Sequence, residues 1–133
     1  MKSKSIILLR YSLVLIYIWF GLLKLFGMSP ITSLVMQTFP FLPNPPLLLI
    51  LGFGEVLIGI GLFIPFTRKL AILALWGHLA GIFFGVLIHH SLYFSHNNPL
   101  LLTNFGEFVA KNIVLLFASI VLFFDNENTS SRT

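Results

Sequence analysis

The chain has 133 residues, 57% of them hydrophobic and 9% charged, with a mean hydropathy of +0.98; a soluble globular domain carries about a quarter charged residues. The expected fold class is therefore all-α, an integral membrane four-helix bundle of one domain, because about 20 residues are needed to cross a hydrocarbon core about 30 Å thick. The net charge of +4 comes from few residues lying mostly at helix ends, which reads as membrane topology rather than nucleic-acid binding, and the absence of cysteine excludes disulfides, thiolate catalysis and Cys-ligated iron–sulfur clusters.

The first helix is expected over residues 6–26. Lys2, Lys4 and Arg10 lead into an apolar run from Tyr11 to Leu23 that is longer than a signal-peptide core of up to about 15 residues. Lys24-Leu25-Phe26-Gly27 offers no small-residue cleavage pattern, so the helix is expected to stay uncleaved. Arg10, Tyr17, Gly21 and Lys24 fall on one helical stripe that should face inward.

Residues 28–46 contain Pro30, Pro40, Pro43, Pro45 and Pro46 and no charge. Such backbone neither continues a helix nor lies bare in lipid. An ordered loop at the far membrane surface is expected, either resting on headgroups or folded down as a lid through a short interfacial helix over residues 31–38.

The second helix, over residues 47–65, carries the chain's most demanding residue, Glu55. A carboxylate at membrane depth persists only if it faces protein, pairs with a polar group or gives up its charge. Gly52 and Gly59 lie three and four residues from it, so this face is expected to admit a neighbouring helix closely. Pro65-Phe66-Thr67-Arg68-Lys69 reads as a short basic turn between antiparallel neighbours. The third helix, over residues 70–90, contains Gly77, Gly81 and Gly85 at four-residue spacing, a small-residue ridge of the kind that draws membrane helices together. His78 sits beside that ridge, and His89 and His90 end the helix. The fourth helix, over residues 104–124, places Glu107 and Lys111 one turn apart, and residues 126–133 are expected to form a disordered tail.

The basic amino terminus and the Arg68-Lys69 turn assign those ends to the cytoplasm, both termini included, in a bacterial-type inner membrane. Lys24, Glu55, Glu107 and Lys111 then share the outer half of the bundle, with Glu55 about 13 Å into its helix. Two acids and two bases suit a mutually neutralising cluster, which either lines a ligand pocket or only fixes helix register. Tyr17, His78 and His89 are secondary candidates. His78 reads as a hydrogen-bonding group at a helix crossing or as a proton relay, and Tyr17, Trp19 and Trp76 as packing or as a clamp on a ring. Arg10 reads as a headgroup anchor or a topology determinant. No metal is expected, since adjacent His89 and His90 point about 100° apart on a helix and His96 brings no Cys or Asp with it. The sequence holds no P-loop, G-x-S-x-G or zinc-helix motif.

Arg10 and the run to Gly21-Leu22-Leu23-Lys24, then Gly54-Glu55-Val56-Leu57-Ile58-Gly59, then His78 in a Gly-rich helix, then Gly106-Glu107-Phe108-Val109-Ala110-Lys111-Asn112 together resemble the DoxX/DoxD-like family of small four-helix membrane proteins over residues 5–125. That resemblance implies a link to oxidoreductase systems, because the family includes a membrane subunit of thiosulfate:quinone oxidoreductase and members associated with oxidative-stress complexes. Many members have Lys-Asp where this chain has Lys111-Asn112, one carboxylate fewer. The expected function is a membrane subunit or accessory protein of a quinone-linked oxidoreductase system, with quinone as its cofactor, Glu55 for proton or ligand contact and Lys111 as its charge partner. The alternatives are a carrier for a small amphiphile or anion, and a non-enzymatic helper that stabilises a membrane partner through the glycine ridge. The expected partners are the lipid bilayer, a membrane or peripheral oxidoreductase subunit and a second copy of the chain, with no nucleic acid.

Overall fold

Apolar stretches punctuated by glycine and proline become helices whose ends those residues set. The computed structural model describes residues 2–30, 32–42 and 46–130. Its helices are α1 (Lys2–Leu25), α2 (Thr32–Thr38), α3 (Pro46–Phe63), α4 (Arg68–Ile88), α5 (His90–Tyr93) and α6 (Asn104–Ser130). No strand occurs among the described residues, only an isolated bridge between Phe94 and Leu102. By length and composition α1, α3, α4 and α6 are each able to cross a membrane.

The helix ends follow from local chemistry. Gly27 takes a φ of +70°, and the N–H groups of Gly27 and Met28 return to the carbonyls of Lys24 and Leu23 at 3.2 and 2.8 Å, the glycine-dependent cap that closes a helix. Pro46 opens α3 at a position where a missing N–H costs nothing. Past the end of α3, Pro65–Thr67 form a single 3-10 turn. There Thr67 Oγ1 donates to Gly61 O at 3.0 Å and Arg68 Nε donates to Leu62 O at 3.2 Å, satisfying carbonyls that the helix end releases. Thr103 caps α6, its Oγ1 accepting from the Gly106 N–H at 3.1 Å while donating to Leu92 O at 2.6 Å.

The expected boundaries shift: α1 begins at Lys2 instead of residue 6, and α3 and α4 end and begin at Phe63 and Arg68 instead of residues 65 and 70. His89 leaves helical geometry, at φ −133° and ψ 49°, so α4 stops at Ile88 and His90 opens α5. At the other end α6 runs on to Ser130, through residues 126–130 of the expected disordered tail, because no glycine or proline interrupts its hydrogen-bond ladder. Residues 131–133 of that tail, with Pro43 and Pro45 of the proline-rich loop, lie outside the described residues. A short helix is present in that loop as α2, with Leu34 and Thr38 buried.

In the bundle α1 packs on α3, α3 on α4, α4 on α6 and α6 back on α1. The α1–α3 seam is the tightest. A Cβ at Gly21 would lie 2.6 Å from Gly52 O, and one at Gly52 would lie 2.8 Å from Gly21 O, so the backbones approach to a distance that side chains forbid. Half of the bundle is filled solid, by Leu13, Ile58, Leu62, Ile72, Leu75 and Leu122 among others. In that half Trp76 Nε1 donates to Ser119 Oγ at 2.8 Å, and the serine hydroxyl donates to Leu116 O at 2.7 Å. Replacing Ser119 with Ala strands the indole N–H in an apolar setting and is expected to cost about 1 kcal/mol, measurable by SDS unfolding of the purified protein. Outward, Leu8, Ile50, Phe53, Leu70, Leu87 and Val114 are each more than half exposed, an apolar girdle that acyl chains would cover.

Candidate functional site

The other half of the bundle is where the polar side chains meet. Tyr17 and Lys24 stand two turns apart on the inward face of α1, Glu55 projects from α3, and His78 from α4. Lys24 Nζ donates to both carboxylate oxygens of Glu55, at 2.9 Å to Oε1 and 2.8 Å to Oε2, with Lys24 4% and Glu55 5% exposed. His78 Nε2 lies 3.1 Å from Glu55 Oε1, and the Tyr17 hydroxyl lies 3.5 Å from His78 Nδ1. A carboxylate can only accept, so the geometry assigns the hydrogen to Nε2 and leaves Nδ1 of a neutral imidazole to accept from Tyr17. The result is one chain of hydrogen bonds, Tyr17 to His78 to Glu55, met from the other side by Lys24. Pairing of this kind lets a charge remain where an isolated carboxylate would be too costly. The glycine seam makes it possible, since a Cβ at Gly52 would come within 2.9 Å of Lys24 Cβ.

A cavity of about 300 Å³ adjoins this chain, at the lower end of the range of about 300–1,000 Å³ for small-molecule sites. Its wall is largely apolar, with Phe20, Leu51, Ile82, Phe108 and Leu115 among the residues that line it. The short helix α2 contributes Leu34, Val35, Thr38 and Phe39. It is tied to α5 by the hydroxyls of Thr38 and Tyr93, 3.1 Å apart. Tyr93 is seated in turn by Gly106, whose missing side chain leaves room for the Tyr93 carbonyl.

Of the four charges expected to cluster, the fold brings together Lys24 and Glu55. Glu107 and Lys111 are exposed on α6 and do not line the cavity. The inward face of α6 carries Val109 and Asn112, 5% and 6% exposed, and Lys111 lies about 100° around the helix from Asn112. Lys24, not Lys111, is the charge partner of Glu55. Tyr17 and His78 belong to the site itself, whereas His89 is half-buried at the α4–α5 break and outside the cavity wall. His90 and His96 are exposed.

The glycine ridge of α4 also needs correction. Gly77 and Gly81 border the cavity, and a Cβ at either would meet nothing within 4 Å. Only Gly85 takes contact, from the side chains of Thr38 and Tyr93. Within this chain the ridge makes space instead of a helix crossing. Trp19 is 56% exposed and Trp76 packs in the solid half, so neither clamps a ligand here. Arg10 is half-buried, its guanidinium carbon 5.3 Å from the Tyr11 ring centroid.

Asn112 is the site residue that charge counting passes over. It is uncharged and so leaves no mark on a scan for ionisable groups. Its signal was positional: a polar residue on the apolar stripe that also carries Val109, Ser119 and Leu122.

Compared with family models, with curated proteins and with solved structures, the chain matches none. Its chemistry is therefore read from the geometry alone. An apolar chamber with a proton-accepting chain in its wall can hold a small, mostly apolar molecule and exchange a proton with a polar group on it.

Proposed function

We propose that this protein binds a quinone-like amphiphile inside its bundle and serves as a membrane subunit or accessory protein of a quinone-linked oxidoreductase system. The observation that carries the reading is the apolar cavity bordered by the Tyr17–His78–Glu55–Lys24 chain. Glu55 gives or takes the proton, His78 and Tyr17 relay it, and Lys24 compensates the charge. A partner oxidoreductase supplies the electrons. The resemblance of the order Lys24, Glu55, His78 and Lys111 across the helices to the DoxX/DoxD-like family points the same way, although Lys111 lies outside the cavity wall. Lys2, Lys4, Arg10, Arg68 and Lys69 argue for both termini on the cytoplasmic face of a bacterial-type inner membrane, which sets the cavity in the outer half of the bilayer.

Purification in mild detergent from quinone-containing membranes, followed by extraction and chromatography, tests it. Native protein is expected to retain quinone, and Glu55→Gln to retain about tenfold less, because the chamber wall loses the carboxylate that accepts from His78 and Lys24. Native protein free of quinone, or a variant that retains as much, would defeat the reading.

A further inference from the structure

The polar groups in the cavity wall form pairs, with one exception. Tyr17 meets His78, Lys24 meets Glu55, and Thr38 meets Tyr93. Asn112 also lines the cavity. It is 6% exposed, and its Nδ2 is buried with no hydrogen-bond partner among the described residues. A buried amide N–H without an acceptor is costly, and native proteins rarely leave one.

The charges of the wall, by contrast, are already answered. Lys24 is bound to both oxygens of Glu55, so a charged ligand would bring in a second buried charge with no counterion to meet it. An anion gains nothing from a lysine already engaged, and a cation gains little from a carboxylate that already accepts from Lys24 and His78.

We propose that Asn112 is the specificity-determining donor of the chamber, and that the chamber takes an uncharged, mostly apolar ligand whose carbonyl oxygen accepts a hydrogen bond from the Asn112 amide. This rests on the cavity being a ligand site, as proposed above, and adds which residue selects the ligand and by what chemistry. An occupant without an acceptor leaves Nδ2 stranded. One with a carbonyl satisfies it once the amide turns toward the chamber, because Nδ2 itself has almost no open surface.

Three probes of nearly equal shape test this by equilibrium dialysis against detergent micelles: acetylnaphthalene, isopropylnaphthalene and naphthoate. The wild-type protein is expected to bind the ketone about tenfold more tightly than the hydrocarbon, with naphthoate weakest. Asn112→Leu should bind ketone and hydrocarbon alike, and Asn112→Gln should restore part of the preference. Thermal unfolding in the same detergent identifies a variant that has not folded. If Asn112→Leu is such a variant, Asn112→Ala takes its place with the same expectation. Equal wild-type binding of ketone and hydrocarbon overturns the role of Asn112 while leaving the chamber a ligand site. Preference for naphthoate overturns the neutral-ligand class. Failure of all three to bind removes the chamber reading and this inference together.

Discussion

Replacing Lys24 with Met is expected to destabilise the protein by about 3–5 kcal/mol, the cost of breaking a buried ion pair from one side. Glu55, 5% exposed, would keep only His78 as a partner. The reciprocal change, Glu55→Gln, should cost less. Lys24 stands in the last turn of α1, and its long side chain can redirect the ammonium group toward the helix end. The double variant Lys24→Met/Glu55→Leu should recover most of the loss, since apolar replacement of a whole buried pair is often neutral or stabilising. SDS or steric-trap unfolding of the four proteins completes the double-mutant cycle. Additive losses would mean that the pair contributes no coupling, and the seam between α1 and α3 would then stand on packing alone.

The second large effect concerns the glycines, where the same substitution should give opposite results on two helices. Gly52→Ala places a methyl 2.8 Å from Gly21 O and 2.9 Å from Lys24 Cβ, contacts with rigid or engaged neighbours that have no room to yield. The backbones of α1 and α3 must separate, at a cost of about 1–3 kcal/mol or more, and the Lys24–Glu55 pair is pulled apart with them. Ligand retention should fall in step with stability. Gly81→Ala meets nothing within 4 Å and replaces the poorer helix former, so it should stabilise by about 0.5–1 kcal/mol. If Gly81→Ala proves as damaging as Gly52→Ala in the purified monomer, α4 packs through its ridge and the open space assigned to it is wrong.

Much of the architecture could be read from composition and punctuation. Hydrophobic length gave four helices long and apolar enough to cross a membrane, Gly27 and Pro65 marked helix ends, and the spacing of Gly52, Glu55 and Gly59 announced a packing face. Glu55 was conspicuous because a carboxylate in an apolar run has few physical outcomes. Its partners were harder to name. Depth along a helix can be counted from residue number, and on that count Lys111 and Lys24 were equally good. Rotation about the helix axis decides between them, and a short error in phase moves a side chain from the interior to the outside. Glu107 and Lys111 were misassigned for that reason. Gly77 and Gly81 meet no helix within this chain; a small residue marks either close approach or open space, and only the neighbour's position distinguishes the two.

By itself the sequence determined that the chain is apolar, helical and long enough to cross a membrane repeatedly, and that one acid in it must find company. Those properties depend on composition and on contacts within a few residues, which the order of amino acids specifies directly. Which base answers that acid, that Asn112 and not Lys111 turns inward, and that a cavity is left beside Glu55 were decided only by tertiary structure. They depend on the relative rotation and approach of helices far apart in the chain, set by the packing of every side chain along their seams at once.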